Sequence, residues 1–229
     1  MKRARLIWLF ATILLVAYVT AGFVASYSNT VQIRLEPGFK VEVTLFRLAD
    51  DRLRMGLTFQ GDHGQRPELG NPATDAKSDR TGRLRFAQPG SSIRITASTP
   101  NSESVSYEAM PKSGWGANTV YRKLTSNLSI EPGVWRWPAP DDIRDFVLHP
   151  GFTTVKIQTV SVDTPLVGEI VQLSVLQPLT FKSCMPSVCW LWGWNLWPLI
   201  MVAQTIWAAV IGVVAWRRSR RNERREATS

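Results

Sequence analysis

The sequence predicts a mainly β fold carried between two membrane-spanning helices. Three observations predict it: charge-free apolar runs near both ends, short alternating segments between them, and Pro-Gly pairs at the edges of those segments. The formal net charge of +9 is distributed in the same way. Lys2, Arg3 and Arg5 contribute +3, and Arg217, Arg218, Arg220, Arg221, Arg224 and Arg225 against Glu223 and Glu226 contribute +4, which leaves +2 for the middle. A nucleic-acid binder carries its basic surface on the folded domain. Basic residues that flank apolar runs act instead as topology signals. Nucleic acid is therefore excluded as a partner, and the lipid bilayer is the expected one. Binding of anionic lipid is a second role open to the basic tail.

Residues 1–5 form a basic stub, and 6–26 the first transmembrane helix. Leu6 to Ala25 reads LIWLFATILLVAYVTAGFVA without a charge, and at ~1.5 Å per residue it spans ~30 Å, the thickness of a bilayer core. A cleaved signal peptide is the rival reading, since it shares the basic start. The run is long for one, and a cut after Ala25 would place Phe23 where a small residue is wanted. A cut after Gly22 stays open, but a retained anchor fits better.

Residues 27–190 form the β domain. VQIRL (31–35), FKVEVTLFRL (39–48), LRMGLTF (53–59), RLRFA (83–87), SIRITAS (92–98), RDFVLH (144–149), TTVKIQTVSV (153–162) and EIVQLSVLQ (169–177) are short, β-branched or aromatic, and largely alternating. Period-two alternation gives a strand one buried and one wet face. Pro37-Gly38, Pro89-Gly90, Pro132-Gly133 and Pro150-Gly151 punctuate them: Pro suits the first central position of a tight turn and Gly supplies positive φ at the second. Many short strands joined by such turns predict an antiparallel β-sandwich of jelly-roll or immunoglobulin type. The domain is larger than a minimal immunoglobulin fold, which favours the jelly roll. Gly61–Gly82 and Ser98–Asn118 interrupt the pattern and read as loops, and Asp50-Asp51 reads as a hairpin turn.

Cys184 and Cys189 end this region. A zinc site needs four ligands, and only His63 and His149, both distant in sequence, could complete one. The spacing also departs from a CxxC redox pair. In an exported domain a local disulfide is the expected state.

Residues 191–216 form the second transmembrane helix, with Pro198 in its first turn, where the missing N–H costs least. Six of the ten tryptophans lie between 190 and 216. Trp190, Trp194 and Trp197 would share a face of an early-starting helix, as an interfacial belt or as a stacking platform for a lipid-linked sugar. Small residues recur in both helices, Ala17, Ala21 and Ala25 in the first and Ala208 and Gly212 in the second, one turn after Gln204. Such faces let membrane helices approach, and a buried Gln can bond across the contact. These are the candidate helix-packing residues, for each other or for a second inner-membrane protein. Residues 217–229 are a basic tail. By the positive-inside bias both termini are cytoplasmic and the β domain lies in the periplasm of a bacterial inner membrane.

No GxSxG, HExxH, Walker or GxGxxG motif is present. The densest polar cluster is Asp141, Asp142, Arg144, Asp145 and His149. Paired carboxylates serve acid–base chemistry, but Asp after Pro at a strand entrance is ordinary turn chemistry. A non-catalytic protein without metal or cofactor is expected. Trp115, Tyr121, Trp135 and Trp137 are the candidate ligand-binding residues, since aromatic rings on a β scaffold stack on sugars. Trp135 and Trp137 share one face of a strand, which equally suits a core pair.

The segment IRDFVLHPGFTTVKIQTVSVDTP (143–165) resembles a pattern in jelly-roll domains of bacterial envelope-polysaccharide (O-antigen and capsule) systems: a short turn, His149-Pro150-Gly151, followed by the strand Val155–Val162. The Asp of that pattern is His149 in this chain, and the motif is structural, so no site residue carries over. The resemblance implies a sugar- or partner-facing module. The expected function is a membrane-anchored accessory protein that binds glycan or a partner protein. A structural subunit of a larger membrane complex is the alternative, and a periplasmic enzyme is the third. The topology predicts that fluorescent protein fused to the C-terminus will fluoresce, and that alkaline phosphatase inserted within 61–82 will be active; a phosphatase-active C-terminal fusion would overturn it.

Overall fold

The computed structural model describes residues 2–74, 83–100, 102–131, 134–136 and 146–226. They divide into two compact units, Tyr27–Gln177 and a second formed by Met1–Ser26 with Pro178–Ser229.

The first unit is all β. Its strands are β1 (Asn29–Arg34), β2 (Lys40–Arg47), β3 (Asp51–Arg52), β4 (Met55–Gln60), β5 (Asn71–Thr74), β6 (Arg83–Gln88), β7 (Ile93–Ser98), β8 (Val105–Trp115), β9 (Thr119–Thr125), β10 (Val134–Arg136), β11 (Val147–Leu148), β12 (Gly151–Val162) and β13 (Ile170–Val175). Eight make one antiparallel sheet in the order β1-β13-β4-β9-β8-β7-β12-β2. Its two edges meet, with the Asn29 side-chain amide donating to the Thr44 carbonyl at 2.8 Å. In place of the two facing sheets of the expected sandwich, one sheet curls nearly into a barrel. Bulges supply the extra bend: register shifts fall between Thr159 and Ser161 in β12 and around Lys112 in β8. Strands β10-β6-β5 form a small second sheet, and β11-β3 a third.

Period-two alternation fills the interior. Met55, Leu57 and Phe59 of β4, Ile93 and Ile95 of β7, Val155 and Ile157 of β12, and Val171 and Leu173 of β13 are all buried. The opposite alternation carries charge, as where Lys156 Nζ meets Glu42 Oε1 at 3.4 Å across β12 and β2. Three of the Pro-Gly turns have positive φ at glycine: +86° at Gly38, +75° at Gly90 and +103° at Gly151. Pro132-Gly133 lies outside the described residues. Gly90 is also a close approach, because a Cβ there would meet the Gly70 nitrogen at 2.5 Å.

Three segments depart from the sequence reading. Ser98–Asn118 is not a loop: 105–115 is the eleven-residue strand β8. Pro111 and Gly114 obscure it, but both fall where the register slips and the ladder needs no regular pairing. Gly61–Gly82 contains short 3-10 turns at His63–Gln65 and Pro67–Leu69 and the strand β5; burial of Leu69 anchors it. Asp50-Asp51 does not close a hairpin between β2 and β4, which pair with β12 and with β13 and β9 instead. Asp51 is buried, and its Oδ2 accepts from Arg47 Nε at 3.0 Å. Arg47 also donates to the Phe46 and Leu176 carbonyls, both at 3.2 Å. Burial raises the Asp51 carboxyl above its usual range and lowers Arg47, and the pairing works against both shifts.

In the second unit, α1 (Lys2–Ala25) and α2 (Trp197–Glu226) are linked through a 3-10 segment at Cys189–Leu196. Two spans, Arg3–Ala25 and Cys189–Arg218, are long and apolar enough to cross a membrane. Residues 178–190, assigned from sequence to the β domain, group with the helices. The Leu179 amide donates to the Ala25 carbonyl at 3.3 Å, satisfying one of the free carbonyls at the end of α1. Cys184 and Cys189 form a disulfide. The 3-10 segment lies on the last turns of α1. The Tyr18 hydroxyl donates to the Trp190 carbonyl at 3.0 Å. The Phe23 ring packs against Trp194 at 4.6 Å and Trp197 at 6.4 Å between centroids. A Cβ on Gly22 would run into the Trp194 ring. Helix α2 continues past its apolar stretch, so residues 217–226 of the basic tail are helical, with the Arg220 guanidinium 4.1 Å above the Trp216 ring.

Two outcomes follow from this packing. Arg47→Met strands the buried Asp51 carboxylate and should cost about 3–5 kcal/mol in urea unfolding of the detergent-solubilised chain, whereas Arg47→Met with Asp51→Leu should lose much less. Gly22→Leu should destabilise by about 1–3 kcal/mol through overpacking against Trp194, and Gly212→Leu, whose Cβ meets open space, should leave the thermal midpoint unchanged.

Candidate functional site

The four candidate aromatic residues do not converge. Tyr121 lies on the outward alternation of β9, and its phenol occupies the space that a side chain on Gly56 would take. Its hydroxyl is buried without a hydrogen-bond partner among the described residues, and burial pushes its pKa up. Trp115 ends β8 opposite Val120; its side chain and all of Trp137 lie outside the described residues. Trp135 sits on β10, paired with Leu84 of β6, and is only 3% exposed. It forms one wall of a cleft of about 350 Å3 between the small sheet and the barrel.

The cleft is built from the ends of several strands. The Pro89-Gly90 turn and Ser91 line one side, held down by the Ser91 amide, which donates to the Glu68 carbonyl at 2.7 Å. Arg94 of β7 faces its cross-strand partner Glu108 of β8, with Nε 3.9 Å from Oε2. Glu108 lies on the outward alternation, yet it is only 5% exposed, because the chain after β9 folds over it. The Ser129 amide donates to Oε2 at 3.0 Å, and the Ser129 hydroxyl reaches both carboxylate oxygens at 2.9 and 3.0 Å. This clamp positions the bridge between Glu131 and Val134, and so Trp135 beyond it. Asp163, just past β12, accepts from the Ser92 amide at 2.6 Å.

Arg122 forms the floor. It follows the buried alternation of β9 between Val120 and Leu124 and is 1% exposed. Its Nε donates to the Met110 carbonyl at 2.7 Å, and its terminal nitrogens to Ser91 and Ala109 carbonyls at 2.8 Å each. The first and last of these carbonyls belong to the β8 bulge, where the ladder is interrupted. Burial lowers its pKa to about 10, against the pull of Glu108 and Asp163. Neither Arg122 nor Glu108 stands out as a motif. The available signal was a charge in place of an apolar residue in the alternation of TVYRKLT, and it is readable only once 119–125 is recognised as a strand. The Trp135 indole nitrogen is buried and has no hydrogen-bond partner among the described residues. The cleft thus offers exposed carboxylates at Asp163 and Glu131, the half-exposed Arg94 guanidinium and serine hydroxyls beside a buried indole, an arrangement suited to hydrogen-bonded binding.

The other predicted residues are placed as follows. His149 Nδ1 lies 2.9 Å from Asp50 Oδ1 at the exposed surface. Asp141, Asp142, Arg144 and Asp145 are outside the described residues. Among the described residues no three His, Cys, Asp or Glu side chains form a metal-binding group. Ala17, Ala21 and Gln204 line a groove beside Tyr18 and Trp190, and Ala208 and Gly212 line another beside Trp8. Ala25 is buried. The Gln204 side-chain oxygen is buried without a partner among the described residues.

No family model matches the chain, and no curated protein matches it. A search of solved structures finds similarity to a crystal structure of a protein from Sulfurospirillum deleyianum, with 17% identity, 66% of this chain and 97% of that chain covered, and a TM-score of 0.39.

Proposed function

We propose that this chain is a non-catalytic, membrane-anchored accessory protein whose barrel binds glycan at the periplasmic face of a bacterial inner membrane, in cell-envelope polysaccharide assembly. The observation that carries this reading is the Trp135 cleft. Carboxylate acceptors at Asp163 and Glu131, the Arg94 guanidinium and serine hydroxyls beside the buried Trp135 ring match what the edge hydroxyls of a sugar require. The resemblance of 143–165 to jelly-roll domains of envelope-polysaccharide systems points the same way. The disulfide supports an oxidising compartment for the segment before the second apolar helix, and the basic flanks of both apolar helices support cytoplasmic termini. The Gln204 side-chain oxygen, buried without a partner among the described residues and beside Ala17 and Ala21, favours a second inner-membrane protein as a further partner.

The test is binding of the detergent-solubilised full chain to an array of envelope glycans. Binding is expected, and Trp135→Ala should weaken it by at least about tenfold, the loss of a well-placed aromatic contact. Phe152→Ala, a change at an exposed ring outside the cleft, should leave it intact. Absence of binding to every glycan, with stoichiometric recovery of a membrane protein, would replace this reading with that of a structural subunit.

A further inference from the structure

We infer that a groove between α1 and α2 binds one anionic phospholipid, with the headgroup phosphate at Arg5 and an acyl chain along the apolar lining. The inference rests on the membrane-anchored reading and is independent of glycan binding. The groove has a volume of about 390 Å3 and is lined by Arg5, Trp8 and Leu9 of α1 and by Ala208, Ile211 and Gly212 of α2. Helical spacing sets its walls. Arg5, Trp8 and Leu9 share one face of α1, and Ala208, Ile211 and Gly212 share one face of α2. Ala208 and Gly212 keep the α2 wall shallow, and a Cβ on Gly212 would meet nothing within 4 Å. Gly212 and Ala208 lie by Arg5 and Trp8, whereas Gln204 lies by Ala17 and Ala21, so the two helices run antiparallel.

In a bilayer core there is no water to fill such a groove, so either an acyl chain or another helix occupies it. Size favours the chain. A helix about 10–12 Å across takes up the whole volume within about one turn, whereas an acyl chain is thin enough to lie along it. Charge favours the lipid as well. Arg5 is exposed, and among the described residues it has no hydrogen bond or ion pair. Its guanidinium fork is open to a phosphate, which it can bond through two parallel N–H donors. A helix packed over Arg5 would have to bring a counter-charge into the membrane, where charge is costly; a phospholipid carries its own. Depth agrees. Arg5 directly precedes the charge-free run 6–25, and Gly212 stands about one and a half turns before Arg217 at the end of the second run. The charged member of the lining therefore sits where headgroups lie, and Leu9, Ala208 and Ile211 sit toward the acyl region. The exposed Arg217 and Arg218 add positive charge at the same end, which raises the local concentration of anionic lipid.

The test titrates the delipidated full chain, in a non-ionic detergent, with phosphatidylglycerol and with phosphatidylcholine of the same acyl chains, counting lipids bound per chain by native mass spectrometry. Micelles lack the surface potential of a leaflet, so a preference reports a site. One phosphatidylglycerol should bind at least about fivefold more tightly than phosphatidylcholine, the scale of one arginine beside an anionic lipid. Arg5→Gln keeps the apolar walls and should bring phosphatidylglycerol down to the phosphatidylcholine level. Gly212→Leu fills the groove without disturbing a contact and should weaken both lipids by about tenfold, as about two methylenes of the chain lose their place. Arg218→Gln removes one charge outside the groove and should change the preference by less than about twofold. Equal binding of the two lipids by the unmodified chain, or equal effects of Arg5→Gln and Arg218→Gln, would overturn the site. A lipid-free dimer, or a membrane protein released by Gly212→Leu, would overturn it in favour of a docked helix. Alkaline carbonate extraction of membranes separates the two levels: a chain retained in the membrane but without lipid preference refutes the site alone, and a chain released by carbonate refutes the membrane anchoring beneath it.

Discussion

A sheet of eight strands has two edges, and each edge presents a row of main-chain donors and acceptors that must be paired, wetted or covered. In this protein the edges are β1 and β2, which follow one another in sequence and come together through the Asn29 amide and the Thr44 carbonyl. Everything else in the β unit depends on that near-closure. It turns one face of every strand inward, so a single alternation of apolar residues suffices for the core. It brings the end of β2 to the end of β13, where Arg47 reaches the Leu176 carbonyl and forms its buried pair with Asp51. A sandwich would have met the same edge problem with two sheets. The bulges in β8 and β12 tip the balance by bending one sheet far enough round.

Curling has a cost at the bulges, where main-chain carbonyls lose their ladder partners while remaining buried. Arg122 answers it. One guanidinium, with donors spread in a plane, satisfies carbonyls at Ala109 and Met110 in the bulge and at Ser91 in the adjoining turn. Lysine, with a single point of donation, could not span all three. The same residue that repairs the bulge therefore anchors the floor of the cleft, and Glu108, clamped by Ser129, anchors its side. Structural repair and a polar recess arise from one cause.

The second unit solves a different packing problem. Apolar helices gain nothing from the hydrophobic effect among lipid tails, so shape complementarity has to hold them to their neighbours. Gly22 provides it by leaving room for the Trp194 ring, while Phe23 and Tyr18 flank the contact. Trp190 and Trp194 of the 3-10 segment are thus engaged with α1, while Trp192 donates to the Phe181 carbonyl. The small residue at the tightest contact is Gly22, and a side chain on Gly212 would meet open space.

The sequence by itself determined the mainly β class, the two bilayer-length helices, the disulfide and the strands whose alternation is uninterrupted, because those follow from local periodicity, length and spacing. It also determined three positive-φ turns, since Pro-Gly leaves few other conformations. Only the tertiary structure decided what depends on partners distant along the chain. That includes the closure of one sheet in place of two, the strand β8 hidden by Pro111 and Gly114, and the burial of Asp51, which reads locally as a turn. It includes the cleft as well. Of the four candidate aromatic residues, Trp135 reaches it and Tyr121 does not. Arg122 and Glu108, which shape it, carry no local signature, because their roles arise from carbonyls and hydroxyls brought to them by strands far away in sequence.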